Sequence, residues 1–291
     1  AYSTIPKGSL YMNTKLYTGN GGTQTISGIG FQPDLVWGKG RTSTEHHQLY
    51  DAVRLATKVI YSNETDVQAT KSTGLTAFNS DGFVLGSDDG LNKNSISQVA
   101  WNWKAGGGQG SSNTAGSINT TYTSVNTTSG FSISQYTGTG SAGATVGHGL
   151  GVAPKMIIVK GLTYADVWLV GGDSLGGWNK EMYLNGANTV ATNNNAFNGV
   201  APTSSVFTLG SGNGTNKSGD TYIAYCFADV KGFSKMISYK GNSSTDGTFV
   251  YCGFKPAFIL TKATATGEGW QIYDNKRLGV NATEKVLYPN T

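Results

Sequence analysis

The residues with most capacity for chemistry are few: three histidines, two cysteines and five glutamates in 291 positions. The segment Gly172-Asp-Ser-Leu-Gly176 fits G-x-S-x-G, in which a sharp turn exposes a serine for acyl transfer. That chemistry needs a histidine after the serine, as both esterase families with this lettering place it, yet His46, His47 and His148 all precede Ser174. A Gly-rich turn is expected there instead. Gly138-Thr-Gly-Ser-Ala-Gly143 fits G-x-G-x-x-G, but no helical pattern follows to aim N–H groups at a pyrophosphate. Gly212-Asn-Gly-Thr-Asn-Lys-Ser218 approaches a P-loop, with Asn216 where a glycine is required. Glycoside hydrolysis would need two carboxylates facing one sugar, and no Glu-x-Asp-x-x-Glu string exists. No enzyme is expected.

Binding chemistry has slightly more to work with. Asp88-Asp89-Gly90 has oxygen ligands of the kind Ca²⁺ takes, but Gly212-Asn213 stands at the matching place further along, so a solvated turn is expected. His46 and His47 are expected as a surface pair with no third metal ligand nearby in sequence. Trp178, in the loop Gly176-Gly-Trp-Asn179, is either an exposed ring that stacks on a sugar or a packed loop anchor. Trp178, His46 and His47 are therefore the candidate ligand-binding residues, with no catalytic residue, metal or cofactor expected. Cys226 and Cys252 make neither a disulfide framework nor a metal spacing.

The elements that must carry these residues recur along the chain. Tyr17-Thr-Gly-Asn-Gly, Tyr136-Thr-Gly-Thr-Gly and Tyr239-Lys-Gly-Asn-Ser each open a copy of one pattern. Gly30-Phe-Gln-Pro33, Gly151-Val-Ala-Pro154 and Gly253-Phe-Lys-Pro256 follow, and six residues after each proline stands Lys39, Lys160 or Lys262. Copies one and three share Gln48-Leu-Tyr-Asp51-x-x-Arg54 and Gln271-Ile-Tyr-Asp274-x-x-Arg277, the marks of a recurring structural ion pair. They also share Lys58-Val-Ile-Tyr-x-Asn63 and Lys285-Val-Leu-Tyr-x-Asn290, where copy two is looser. Copies one and two share Leu85-Gly-Ser-x-x-Gly-x-Asn-Lys93 and Leu209-Gly-Ser-x-x-Gly-x-Asn-Lys217, and Val99-Ala-Trp-Asn-Trp103 pairs with Ile223-Ala-Tyr-Cys-Phe227.

Forty-two glycines, 13% charged residues and little glutamate exclude a helical bundle, whereas 11% aromatics oppose disorder. Short alternating segments bounded by Gly, Asn and Asp read as strands, with Asp81-Gly82 as a hairpin signal. Val99, Trp101 and Trp103 are expected to face a core, with Ala100 and Asn102 on the opposite face. The expected fold class is all-β: tandem β-sandwich modules, jelly-roll and lectin-like, two complete and one partial. Residues 1–16 are an N-terminal segment, 17–105 repeat one, 106–116 a flexible Gly/Ser-rich linker, 117–230 repeat two and 231–291 a partial repeat three. Copies one and two should hinge on that linker more than two and three on their short join. The strands copy three lacks are expected to be lost by truncation or supplied by another chain.

The net charge of +4 is dispersed, which marks no nucleic-acid or membrane partner, and no apolar run approaches a bilayer span. The N-terminus lacks the basic start and apolar core of a signal peptide.

Taken together, Tyr-Thr-Gly-Asn-Gly, Gly-Phe-x-Pro, Ser-Asp-Gly-Phe and Val-Ala-Trp-Asn-Trp-Lys-Ala-Gly resemble a module of virion structural proteins of tailed, marine bacteriophages, from about Leu10 to Thr291. The resemblance implies a tail-fibre-like or structural role on a lectin-like sandwich, with no catalytic set. The early stop of copy three and the absent Tyr-Asp-x-x-Arg of copy two depart from it. The expected function is thus a non-enzymatic virion protein, extracellular, of the tail fibre, tail tip or head decoration. Its expected partners are other virion proteins, its own copies as a homotrimer, and a host-surface glycan. The alternative is a secreted carbohydrate-binding or carbohydrate-cleaving protein.

Overall fold

A computed structural model of the chain describes residues 3–277 and 285–291. It is all-β, built of antiparallel pairs with two one-turn helices. Copy one runs through β1 (Met12–Thr18), β2 (Gln24–Ile26), β3 (Leu35–Gly40), β4 (Gln48–Asp51), β5 (Lys58–Tyr61), β6 (Ala69–Thr70), β7 (Leu75–Asn79), β8 (Gly82–Leu85), α1 (Asp89–Asn92) and β9 (Ser97–Trp103). Next come β10 (Tyr122–Asn126), β11 (Phe131–Thr137), β12 (Thr145–Gly147), β13 (Met156–Gly161), β14 (Leu169–Gly172), β15 (Lys180–Tyr183), β16 (Ala191–Thr192), β17 (Val206–Thr208), α2 (Asn213–Asn216) and β18 (Thr221–Phe227). The remaining residues contribute β19 (Phe258–Thr261) and β20 (Gln271–Asp274), with an isolated bridge from Ile272 to Leu287.

A six-stranded sheet has the order β1-β9-β3-β4-β5-β6, and a seven-stranded sheet repeats it as β11-β18-β13-β14-β15-β16 with β10 added outside β11. Each is covered on one face by a smaller sheet, β2-β8-β7 for the first and β12-β17 for the second. The hairpin β7–β8 turns at Asp81-Gly82, where Gly82 has φ of 158° and a side chain would strike the Ile26 carbonyl.

Three apolar clusters hold the chain together. Ile26, Val36, Tyr50, Val59, Phe83 and Ala100 fill the space between the two sheets of copy one, and Val146, Val159, Phe197, Phe207 and Ala224 do so in copy two. The third and largest cluster lies on the other face of both large sheets: Trp37, Leu49, Ile60, Trp101 and Trp103 meet Ile133, Ile158, Trp168, Val170 and Tyr225, together with Trp270 and Ile272 of copy three. This changes the expected orientation of the last strand. Val99, Trp101 and Trp103 do face a core, but it is the one shared between copies, while Ala100 and Asn102 are equally buried on the opposite face. Both faces of a large sheet being covered, each buried large side chain adds on the order of 1.5–3 kcal/mol.

Residues 106–116, expected as a flexible linker, are held on both sides. The Ala105 and Gly107 amides donate to the buried Asp34 carboxylate at 2.6 and 3.0 Å, Gln109 Nε2 donates to Val53 O, and Ser111 bridges Thr123. Burial raises the Asp34 pKa despite those donors. The expected hinge between copies one and two finds no place in this packing, because both large sheets close on one common core.

Candidate functional site

The expected binding residues do not form a surface. Trp178 is 4% exposed: its Nε1 donates to Asp173 Oδ1 at 2.6 Å, and its ring packs edge-on against Phe197. It is the loop anchor, not a ring offered to sugars. His47 is fully buried, against the expected surface pair, whereas His46 stays exposed beside Glu64 at 3.2 Å. In His47, Nδ1 accepts the Trp37 indole N–H at 3.1 Å and the ring stacks on Trp101. Burial, and then the charges of Lys39 and Arg277, hold its pKa well below the imidazole range, so it is neutral. Ser174 sits in a short 3₁₀ turn, and Asp173 beside it is taken by Lys155 and Trp178. His148, the third histidine, accepts the Leu150 amide on Nδ1 and meets Thr203 O with Nε2.

The nucleotide-like glycine motifs prove to be two halves of a clamp. Asn92 and Asn216, from the twin Gly-x-Asn-Lys loops, are fully buried. Asn92 Oδ1 accepts the Asn20 amide at 3.0 Å, and Asn216 Oδ1 accepts the Thr139 amide at 2.8 Å. Their Nδ2 groups donate to loop carbonyls, among them Gly86 O and Gly210 O. The opening Tyr-Thr-Gly loop lies so close that a side chain at Gly19 or Gly138 would meet the Lys93 or Lys217 carbonyl at 2.2 or 2.4 Å.

The repeated residues with the clearest work are those whose role the sequence left blank. Asn63, Asn185 and Asn290 each accept, within their own copy, the amide of the residue before the QLYD-type strand: His47, Trp168 and Trp270. Those three side chains then reach the neighbouring copy. Trp168 Nε1 donates to Tyr61 O at 2.9 Å, Trp270 Nε1 donates to Tyr183 O at 2.8 Å, and His47 Nε2 faces the Tyr288 carbonyl without full hydrogen-bond geometry. Copy two thus leans on one, three on two, and one on three. The spaced lysines follow the same direction: Lys160 Nζ donates to Thr65 O and Lys262 Nζ to Ala187 O, while Lys39 turns to the Ser43 and Glu45 carbonyls of its own loop. Burial lowers all three, Lys160 to about 8.

The ion pairs join the cycle. Arg54 Nε meets Asp51 Oδ2 and Arg277 Nε meets Asp274 Oδ2, both at 2.5 Å and both buried. Each aspartate also accepts from another copy: Tyr225 OH donates to Asp51 at 2.7 Å, and Trp101 Nε1 donates to Asp274 at 2.9 Å. Burial would raise the Asp274 pKa, but Arg277 and Trp101 outweigh it and hold the carboxyl below its usual range. Spacing within each copy was readable in the sequence; which copy each group reaches was not.

Two concavities among the described residues offer polar walls. A shallow groove of about 390 Å³ is lined by Ser111, Asn113, Thr114, Thr123, Val125 and Gly149. A smaller cavity of about 180 Å³ in copy two has Asp166, Glu181, Tyr183, Asn193, Asn195 and Asn213 in its wall. Among the described residues no three of His, Cys, Asp and Glu gather as a metal cluster, and no helix is long and apolar enough to cross a membrane. No curated protein and no solved structure matches the chain. A family profile does, over residues 7–291, and the chain therefore belongs to the family described as Domain of unknown function (DUF7483).

Proposed function

We propose that this chain is a non-enzymatic structural protein of a phage virion, part of a tail fibre, tail tip or head decoration, built from jelly-roll-like tandem modules. The observation that supports this reading is the cycle of inter-copy ties, which locks three copies onto one buried core. Such interlocking suits a part that must keep its shape outside a cell. The resemblance of the Tyr-Thr-Gly-Asn-Gly, Ser-Asp-Gly-Phe and Val-Ala-Trp-Asn-Trp motifs to virion modules supplies the phage assignment. Assembly with other virion proteins, or as a homotrimer, would use copy three, where Phe249 and Tyr251 are 86% and 79% exposed and β19 pairs, among the described residues, with β20 alone. Antibody against this chain should decorate one fixed position on intact particles; absence from purified particles would defeat the reading.

Host-glycan adhesion belongs to the same proposal, moved from Trp178 to the groove lined by Ser111, Asn113 and Thr114, whose hydroxyls and amides suit sugar hydroxyls. A glycan array with the wild-type chain and Asn113→Ala should show weak binding that the variant loses. Trp178→Ala should lower stability by about 3–5 kcal/mol rather than abolish binding selectively. Cleavage of any member of a polysaccharide panel would favour the secreted carbohydrate-active alternative.

A further inference from the structure

The two complete copies treat one location in opposite ways. In copy one, between β4, the end of β6 and the loop before α1, the charges are internally matched. Asp88 Oδ1 pairs with Lys71 Nζ at 2.7 Å, and Asp88 Oδ2 accepts from Gln48 Nε2 at 2.8 Å and from the Gly90 amide at 3.1 Å. The strand pairings Lys58 with Thr70 and Lys180 with Thr192 put Lys71 and Asn193 at matching positions. Leu169 matches Gln48, and Gly212 matches Asp88.

Copy two therefore has lost the ammonium and the aspartate of copy one and gains one carboxylate, Glu181, while Asp166 stands where copy one has Glu45, which pairs with Lys93 at 3.4 Å. Glu181 stands where copy one has Val59. It is 3% exposed; Oε1 accepts from Asn193 Nδ2 at 3.0 Å and from Tyr183 OH at 3.3 Å, while Oε2 is buried without a hydrogen-bond partner among the described residues. Asp166 shares the cavity wall, and its Oδ2 lies beside Gly214. Neither carboxylate has a salt-bridge partner among the described residues. A buried carboxylate oxygen without a donor is costly unless a cation or proton meets it. Every polar group offered to the cavity by Asp166, Glu181, Asn195 and Asn213 includes oxygen, and none offers sulfur or imidazole, which is the donor chemistry of a hard cation.

The geometry points to a Ca²⁺ site in copy two, held by the Glu181 and Asp166 carboxylates with amide oxygens and water completing the shell, at the place where Lys71 supplies the positive charge in copy one. Two carboxylates make a weak site, with a Kd of about 10⁻⁴ to 10⁻³ M.

The test uses the whole chain. Tb³⁺ emission sensitised through Tyr183 should rise to saturation and be displaced by Ca²⁺ but not by equal Mg²⁺. Calcium at about ten times Kd should raise the melting temperature measurably, as ligand that binds only the folded state must. Glu181→Gln keeps the shape and removes the charge, and should weaken Ca²⁺ at least about tenfold. Asn193→Lys, which copies Lys71, should abolish Ca²⁺ binding in a chain that still folds, with a melting temperature indifferent to calcium. Saturable binding lost in both variants supports the site. No binding up to about 10 mM Ca²⁺, or unchanged binding in either folded variant, overturns it.

Discussion

Copies one and two share their strand order yet fill the strand after the recurring lysine differently. In copy one, β4 ends in Tyr50-Asp51 and is followed by Arg54; in copy two, β14 ends in Gly171-Gly172, and Leu175 takes the arginine's place. The space Tyr50 occupies is taken in copy two by Phe197 from a distant loop, so close that a side chain at Gly171 would meet that ring at 2.5 Å. Volume inside the sandwich is thus conserved while its source moves along the chain. On the other face, Asp51 with Arg54 accepts the Tyr225 hydroxyl, whereas Gly172 can accept nothing with a side chain. The sandwich interior asks only for apolar volume, but the interface between copies asks for particular donors and acceptors.

The largest break in this comparison should come from Arg54→Leu, which copies Leu175 and leaves Asp51 buried without its counter-ion. We expect a loss of about 3–5 kcal/mol in urea unfolding, with Asp51→Ala, Arg54→Leu losing less than the single variant. A double variant worse than the single would mean that packing, not charge, governs the site.

Trp168→Phe and Trp270→Phe each keep an aromatic ring, lose some buried volume and remove an indole donor to the neighbouring copy. Each should cost about 1–2 kcal/mol, and the two should add if the contacts act independently. A cost near zero for both would remove the cycle's energetic significance.

His47 gives a pH test of the third link. Its folded pKa lies well below its unfolded value of about 6.5, so the unfolded chain binds the extra proton and stability falls as pH drops below about 6.5. The slope from this one group is at most about 1.4 kcal/mol per pH unit. His47→Gln should flatten the stability curve between pH 6.5 and 5; an unchanged slope would assign it to other groups.

The smallest effect belongs to Lys71→Met, since the Lys71–Asp88 pair is partly exposed, with side-chain exposures of 31% and 10%. A loss of about 1 kcal/mol or less, diminished by salt, is expected. A larger loss would show that the copy-one charge cluster is structural to the degree that the buried pairs are.

Much of this was legible without coordinates. Asp81-Gly82 marked its hairpin because the turn requires positive φ, and Val99, Trp101 and Trp103 marked a strand by period two. The Asp-x-x-Arg pairs were readable because both members lie within one turn. Trp178, His47 and Glu181 were not. Whether a loop tryptophan faces water depends on Phe197 and Asp173 folding over it, and whether a histidine beside a strand is buried depends on distant tryptophans of its own sheet and on Arg277 and Tyr288 of another copy. Glu181 carries no pattern at all, and its significance comes from the missing partner on Oε2.

By itself, the sequence determined the strand class, the recurring glycine turns, the local ion pairs and the Pro-to-Lys spacing, because each depends on residues a few positions apart. Only the tertiary structure decided that both faces of the large sheets are buried, that Trp168 and Trp270 reach the preceding copy, and that the segment 106–116 is held rather than free. Those outcomes rest on contacts between residues up to 227 positions apart, such as Ser62 Oγ donating to Pro289 O, and no local periodicity encodes which distant surface will arrive.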